Sequence, residues 1–156
     1  NYPSFFKNNK TANFVWTLRD MNPFTGGCHH ADNCTQYFDG CKNCPQLQSS
    51  GISDDICRIF KIKEKALSYL DSNQLKVVCP SKWIKTLSEK SKLFERFEHV
   101  YIPHGVDVSQ FKVKNIDMCR KKLGLALNKK IILFVSDSVS DPRKGLPLLL
   151  NSLENC

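Results

Sequence analysis

Four short apolar runs, most of them followed by a helical pattern, set the strongest constraint on what this chain can become. "FVWTL" (14–18), "LKVVCP" (75–80), "EHVYIP" (98–103) and "KKIILFVS" (129–136) are rich in β-branched and aromatic residues and suit buried strands. Between the first two, Ile56, Phe60, Lys63, Leu67 and Leu70 recur at helical spacing, with Ser53 as the expected N-cap and Asp54 and Asp55 favourable in the first turn. Ser81 is placed to cap a helix through "KWIKTLSEKS", with Trp83 and Leu87 on one face. "IDMCRKKLG" predicts a short helix stopped by Gly124, and "KKIILFVS" leads through "DSVSDPRKG" to a helix beginning near Lys144. Such alternation predicts an α/β fold, a parallel sheet with helices on both faces.

The chain of 156 residues starts at Asn1 and stops inside the apolar pattern "LLLNSLENC", so a fragment is expected. Its 41% hydrophobic and 24% charged residues are in the globular range, and no run approaches the roughly 18 apolar residues of a membrane span. The net charge of +8 favours a polyanionic partner, either nucleic acid, anionic lipid or a nucleotide phosphate. Because acids are interleaved with the lysines, the charge reads first as a solvated lysine-rich face and does not choose among these partners.

"GGCHHADNCTQYFDGCKNCPQL" (26–47) breaks the alternation with four cysteines and two histidines. Cys28, Cys34, Cys41 and Cys44 are spaced C-x5-C-x6-C-x2-C, a set that matches tetrahedral zinc. Gly26, Gly27 and Gly40 allow tight turns, and the loop has too few aliphatic residues to order itself by burial; a metal supplies what a core does not. A closed shell of four thiolates leaves no position for water, so this zinc is structural, with His29 and His30 as reserve ligands. Paired disulfides, unliganded thiols and an iron–sulfur cluster are the alternatives. Cys57, Cys79, Cys119 and Cys156 sit in helical or strand patterns as unpaired core thiols, which argues for a reducing compartment and a cytoplasmic location.

Taken in order, "VWTLRDMNPFTGGCHH", "GCKNCPQL", "VVCPSKW", "YIPHGVDVSQF" and "ILFVSDSVSDPRKGLPLLL" resemble the middle of family 4 glycosyltransferases. The likeness is to bacterial surface-polysaccharide enzymes with a "T-L-H-D-x-W-x-F-T-G" segment and a cysteine-rich loop. It implies a partial GT-B fold, two incomplete Rossmann-like domains carrying a Cys-rich loop. Residues 1–103 would be the later part of an N-terminal, acceptor-side domain, and residues 104–156 the lead-in to, and start of, a C-terminal nucleotide-sugar-binding domain. The implied activity is retaining transfer of a sugar from a nucleotide-sugar to a polysaccharide or lipid-linked glycan. The family's glycine-rich loop would precede this chain and its paired-glutamate segment would follow Cys156, so these residues alone are expected to be inactive. The implied setting is cytoplasmic, compatible with peripheral contact at the anionic inner face of a membrane, and no nucleic acid is involved.

The resemblance also assigns residues. Lys144, followed by Gly145, takes the place of the lysine that neutralises the donor diphosphate, a large electrostatic contribution as the leaving group gains charge. Relatives often carry an arginine six residues before it, where this chain has Ser138, and Arg143 is the neighbouring substitute. Arg19-Asp20 stands where the family has His-Asp facing the cleft. Arg19 cannot act as a base, yet it suits bidentate binding of an acceptor phosphate or carboxylate, and its other reading is a structural pair with Asp20 or another acid. His104 replaces the family's asparagine, Gly105 reads as a backbone requirement and Asp107 as a turn residue. Two other classes remain open: a non-enzymatic zinc module binding nucleic acid, which predicts basic residues around the cysteines although only Lys42 is present, and a degenerate relative serving as a scaffold.

Overall fold

The computed structural model describes residues 2–47 and 50–154. The chain divides into two compact units, Asn1–Val106 and Asp107–Cys156. The first contains α1 (Tyr2–Asn8), β1 (Phe14–Thr17), α2 (Ser50–Leu67), β2 (Leu75–Cys79), α3 (Lys82–Glu89) and β3 (Glu98–Tyr101). The three strands form one parallel sheet in the order β1-β2-β3, with Thr17 opposite Val78 and Val78 opposite Val100. The protein is thus a mixed α/β protein with an open parallel sheet.

Leu75, Val77 and Cys79 are buried, and they alternate with exposed Lys76 and half-buried Val78, as a two-residue side-chain period demands. The covered face joins Phe6, Phe24, Phe60, Phe94 and Phe97 with Ala66, Leu67 and Leu70 in one core. Each fully buried large apolar side chain contributes about 1.5–3 kcal/mol. Across the sheet the opposite row is open: Val15 is 72% exposed, and Lys76 pairs in solvent with Glu98 at 2.6 Å. The expectation of helices on both faces is therefore corrected for the described residues, which cover one face only.

Two helix starts differ in detail. The Ser81 hydroxyl accepts the Ile84 N–H at 3.2 Å, as its N-cap role requires. The backbone of α2 is already helical at Ser50, so Ser53 lies inside the helix rather than at its cap. The Asp54 side chain, like Cys156, lies outside the described residues, while Asp55 pairs with Arg58 at 2.9 Å. On α3 the buried positions are Ile84 and Ser88, with Leu87 half-buried, and Trp83 faces solvent instead of sharing the core face with Leu87.

The second unit holds α4 (Ile116–Lys122) and α5 (Leu146–Glu154). The Asn115 side chain caps α4 by accepting the Met118 N–H at 3.0 Å, and Gly124, with φ of 66°, ends it in the left-handed conformation. "KKIILFVS" does not form the expected strand: among the described residues no neighbouring backbone pairs with it, and Leu133 and Val135 are 82% and 78% exposed. A strand exists only by its ladder, and here apolar, β-branched composition has no partner to complete. No helix among the described residues is long and apolar enough to cross a membrane.

Candidate functional site

Where β1 leaves the sheet, the Leu18 N–H donates to Val78 O at 2.9 Å, which holds the following residues beside the end of β2. Ligands of open α/β sheets collect at this carboxyl edge. Arg19 is exposed, and among the described residues no hydrogen bond or ion pair holds it. Asp20 turns away from it: one carboxylate oxygen accepts the Asn22 N–H at 2.8 Å, and the other meets His29 Nδ1 at 2.7 Å. Partial burial pushes the Asp20 pKa up, but hydrogen bonds from His29 and Asn22 outweigh it and hold the carboxyl below its ordinary value. The structural Arg19–Asp20 pair does not form.

The cysteine loop is built on short turns. Residues Asn22–Phe24 and Gln36–Phe38 each make one 3-10 turn, and Phe24 joins the loop to the core through Tyr37 and Phe94, at ring separations of 5.7 and 6.1 Å. Asp32, Cys41 and Asn43 adopt φ of 48°, 50° and 49°, a conformation that costs a non-glycine residue free energy. Gly27 and Gly40, with φ of 143° and 142°, meet the sequence expectation for tight turns. Gly26 serves differently: a Cβ there would lie 2.6 Å from Ile56 Cγ2 and 2.9 Å from Cys41 Cβ. That space lets the Gly26 N–H donate to Cys41 Sγ at 3.1 Å.

Cys28, Cys34, Cys41 and Cys44 line one cavity of about 160 Å³ together with Tyr37 and Ile56. Burial pushes the Cys41 thiol up to about 11, with the other three thiols adding to the shift, and burial likewise raises Cys28. Tyr37 is pushed up to about 12 by burial and by the neighbouring sulfurs. All seven described cysteines are free thiols. As placed, no three His, Cys, Asp or Glu side chains among the described residues stand close enough to share a metal ion. The donor set and the enclosure suit a thiophilic metal, and the sulfurs surround the cavity without meeting at a point.

Lys63 is 7% exposed, in the apolar stripe of α2 between Phe60 and Leu67. Its Nζ donates to Asn22 O at 2.6 Å, Thr25 O at 3.0 Å and Asn22 Oδ1 at 3.2 Å, tying the helix to the turn that begins the cysteine loop. Burial lowers its pKa, and attraction to Cys41, Cys28 and Asp20 opposes that shift. A lysine inside an apolar stripe is the sequence signal for this anchor.

His30 joins the cysteine loop to α3. Its Nδ1 lies 2.9 Å from Asp32 Oδ1, its carbonyl accepts from Gln46 Nε2 at 2.7 Å, and its ring stacks on Trp83 at 5.7 Å and 18°. Both histidines engage a carboxylate through Nδ1, His29 with Asp20 and His30 with Asp32.

In the second unit the predicted phosphate residues are held by acids. Lys144 Nζ pairs with Asp137 at 3.0 Å, and Arg143 with Asp141 at 2.7 Å. Lys144 holds Asp137 below the usual carboxylate range, and Arg143 takes Asp141 to about 2. Lys144 closes a 3-10 turn (Pro142–Lys144) rather than opening a helix; Gly145, with φ of 80°, separates it from α5. Ser138 bonds Ser140 at 3.0 Å and supplies no cation. Asp107 is a turn residue as expected, its carboxylate accepting from Ser109 N–H at 2.9 Å and Ser109 Oγ–H at 2.6 Å. Gly105 has neither a left-handed φ nor a crowded Cβ position, so no backbone requirement acts there, and His104 is exposed.

Comparison with known proteins finds no matching family model, no similar curated protein and no similar solved structure.

Proposed function

We propose that this chain belongs to a glycosyltransferase of the GT-B type and carries its acceptor side in residues 1–106 and a donor-phosphate segment around Lys144. The observation that carries the reading is the Asp20–His29 pair beside exposed Arg19, which has no partner among the described residues, at the carboxyl edge of a parallel sheet, where fixed hydrogen-bond acceptors and an available guanidinium suit a polyhydroxylated, acid-bearing acceptor. Asp20 is ionised and oriented, so it accepts hydroxyl hydrogens, and Arg19 binds a phosphate or carboxylate through its fork of N–H groups. The cysteine loop would be closed by zinc held by Cys28, Cys34, Cys41 and Cys44; when bound, the ion supplies a structural crosslink and no reactive position. Lys144 leaves Asp137 for the diphosphate of a nucleotide-sugar, an exchange favoured because two phosphate charges replace one carboxylate.

A non-catalytic scaffold is favoured by one observation, the acid partner already present on both Lys144 and Arg143. Calorimetric titration with uridine and guanosine diphosphates separates the two. The transferase reading expects binding that weakens about tenfold in Lys144→Ala, the loss of one charge-assisted contact. No binding, or equal affinity in the variant, overturns it in favour of the scaffold.

A further inference from the structure

Trp83 is 53% exposed at the start of α3, which follows the end of β2 at Cys79 by a short turn. An indole so placed gives up burial that the neighbouring Ile84 obtains, and its position is nonetheless fixed. The His30 ring lies nearly parallel to it, and His30 is itself held by Asp32 and Gln46 of the cysteine loop. The same edge carries Arg19, Asp20 and His29: Leu18 bonds to Val78 on β2, and the Met21 N–H donates to His29 O at 3.0 Å. An aromatic surface thus sits on a rim otherwise made of charged and hydrogen-bonding groups.

We propose that Trp83, braced by His30, is a stacking platform for a pyranose ring of the acceptor. A pyranose has a face of C–H groups bearing slight positive charge, which complements the negative face of an indole, and an edge of hydroxyls, which complements Asp20 and His29. A purely apolar ligand would displace water from these polar groups without replacing its hydrogen bonds, and an open-chain polyol has no face to stack. The assignment rests on the glycosyltransferase reading and names the substrate class of its acceptor edge.

The chain contains two tryptophans, so the indole N–H signals in a nitrogen–proton correlation spectrum report Trp83, with the partly buried Trp16 as internal reference. Titration with cellotriose and maltotriose is expected to move the Trp83 signal and leave that of Trp16 in place, whereas sorbitol moves neither. Trp83→Ala should weaken trisaccharide binding about tenfold, while Trp83→Tyr, which keeps an aromatic face, should retain most of it. A trisaccharide that binds Trp83→Ala as tightly as the parent chain, or that leaves the Trp83 signal unmoved, overturns the platform. The transferase reading fails on a separate readout, Lys144-dependent diphosphate binding, so the two failures are distinguishable.

Discussion

His29 Nδ1 lies 2.7 Å from Asp20 Oδ2, joining the first turn of the cysteine loop to the exit of β1. Since the pair and the Asn22 N–H depress the Asp20 pKa, the folded state binds fewer protons than the unfolded state near that value. The contribution is fully present above the unfolded value of about 3.9 and disappears as pH falls through the folded one. His29→Ala should raise the Asp20 pKa towards its ordinary value, read from carboxyl carbon shifts, and cost about 0.5 kcal/mol at neutral pH because His29 is 73% exposed. An unchanged Asp20 titration would show that Asn22 alone holds the carboxylate.

Protein purified under reducing conditions should contain one zinc ion per chain. Cys41→Ser should lose the metal and about 2 kcal/mol of stability, near 10 °C for a unit of this size, whereas Cys57→Ser should keep the metal. Elemental analysis and thermal melts check both. Full zinc content in Cys41→Ser would remove Cys41 from the ligand set.

Gly26→Ala tests the space under the loop. The added methyl meets Ile56 Cγ2 and Cys41 Cβ, so a loss of about 1–3 kcal/mol is expected in denaturant unfolding, and a smaller loss when the same change is made in an Ile56→Ala background, which lacks the Cγ2 methyl. Gly105→Ala, with open space around its Cβ, should change stability by less than about 0.5 kcal/mol.

Lys63→Met matches the apolar stem of the side chain but leaves the carbonyls of Asn22 and Thr25 without their buried donor. A loss of about 2–4 kcal/mol is expected, against less than about 0.5 kcal/mol for exposed Lys65→Met. Equal effects would mean that water replaces the ammonium at these carbonyls.

Elements whose signals are local could be read before any contact was known. Alternation at Leu75, Val77 and Cys79 marked β2, Ser81 marked the start of α3, and the spacing Phe60–Lys63–Leu67 marked the buried stripe of α2, since side-chain period and capping depend only on near neighbours. The clustering of Cys28, Cys34, Cys41 and Cys44 was legible for the same reason. Pairing was not: "KKIILFVS" has strand composition, but a ladder needs a second backbone, and whether one is adjacent is not written in the segment. Partner choice was equally hidden. Asp20 has Arg19 next to it in sequence yet takes His29, nine residues on, because the two neighbours diverge at the strand end while the loop folds back to place its own hydrogen bond. Helical spacing alone puts Trp83 on a face with Leu87, and the tertiary structure places it outside, against His30, because the face a helix buries is decided by what packs on it.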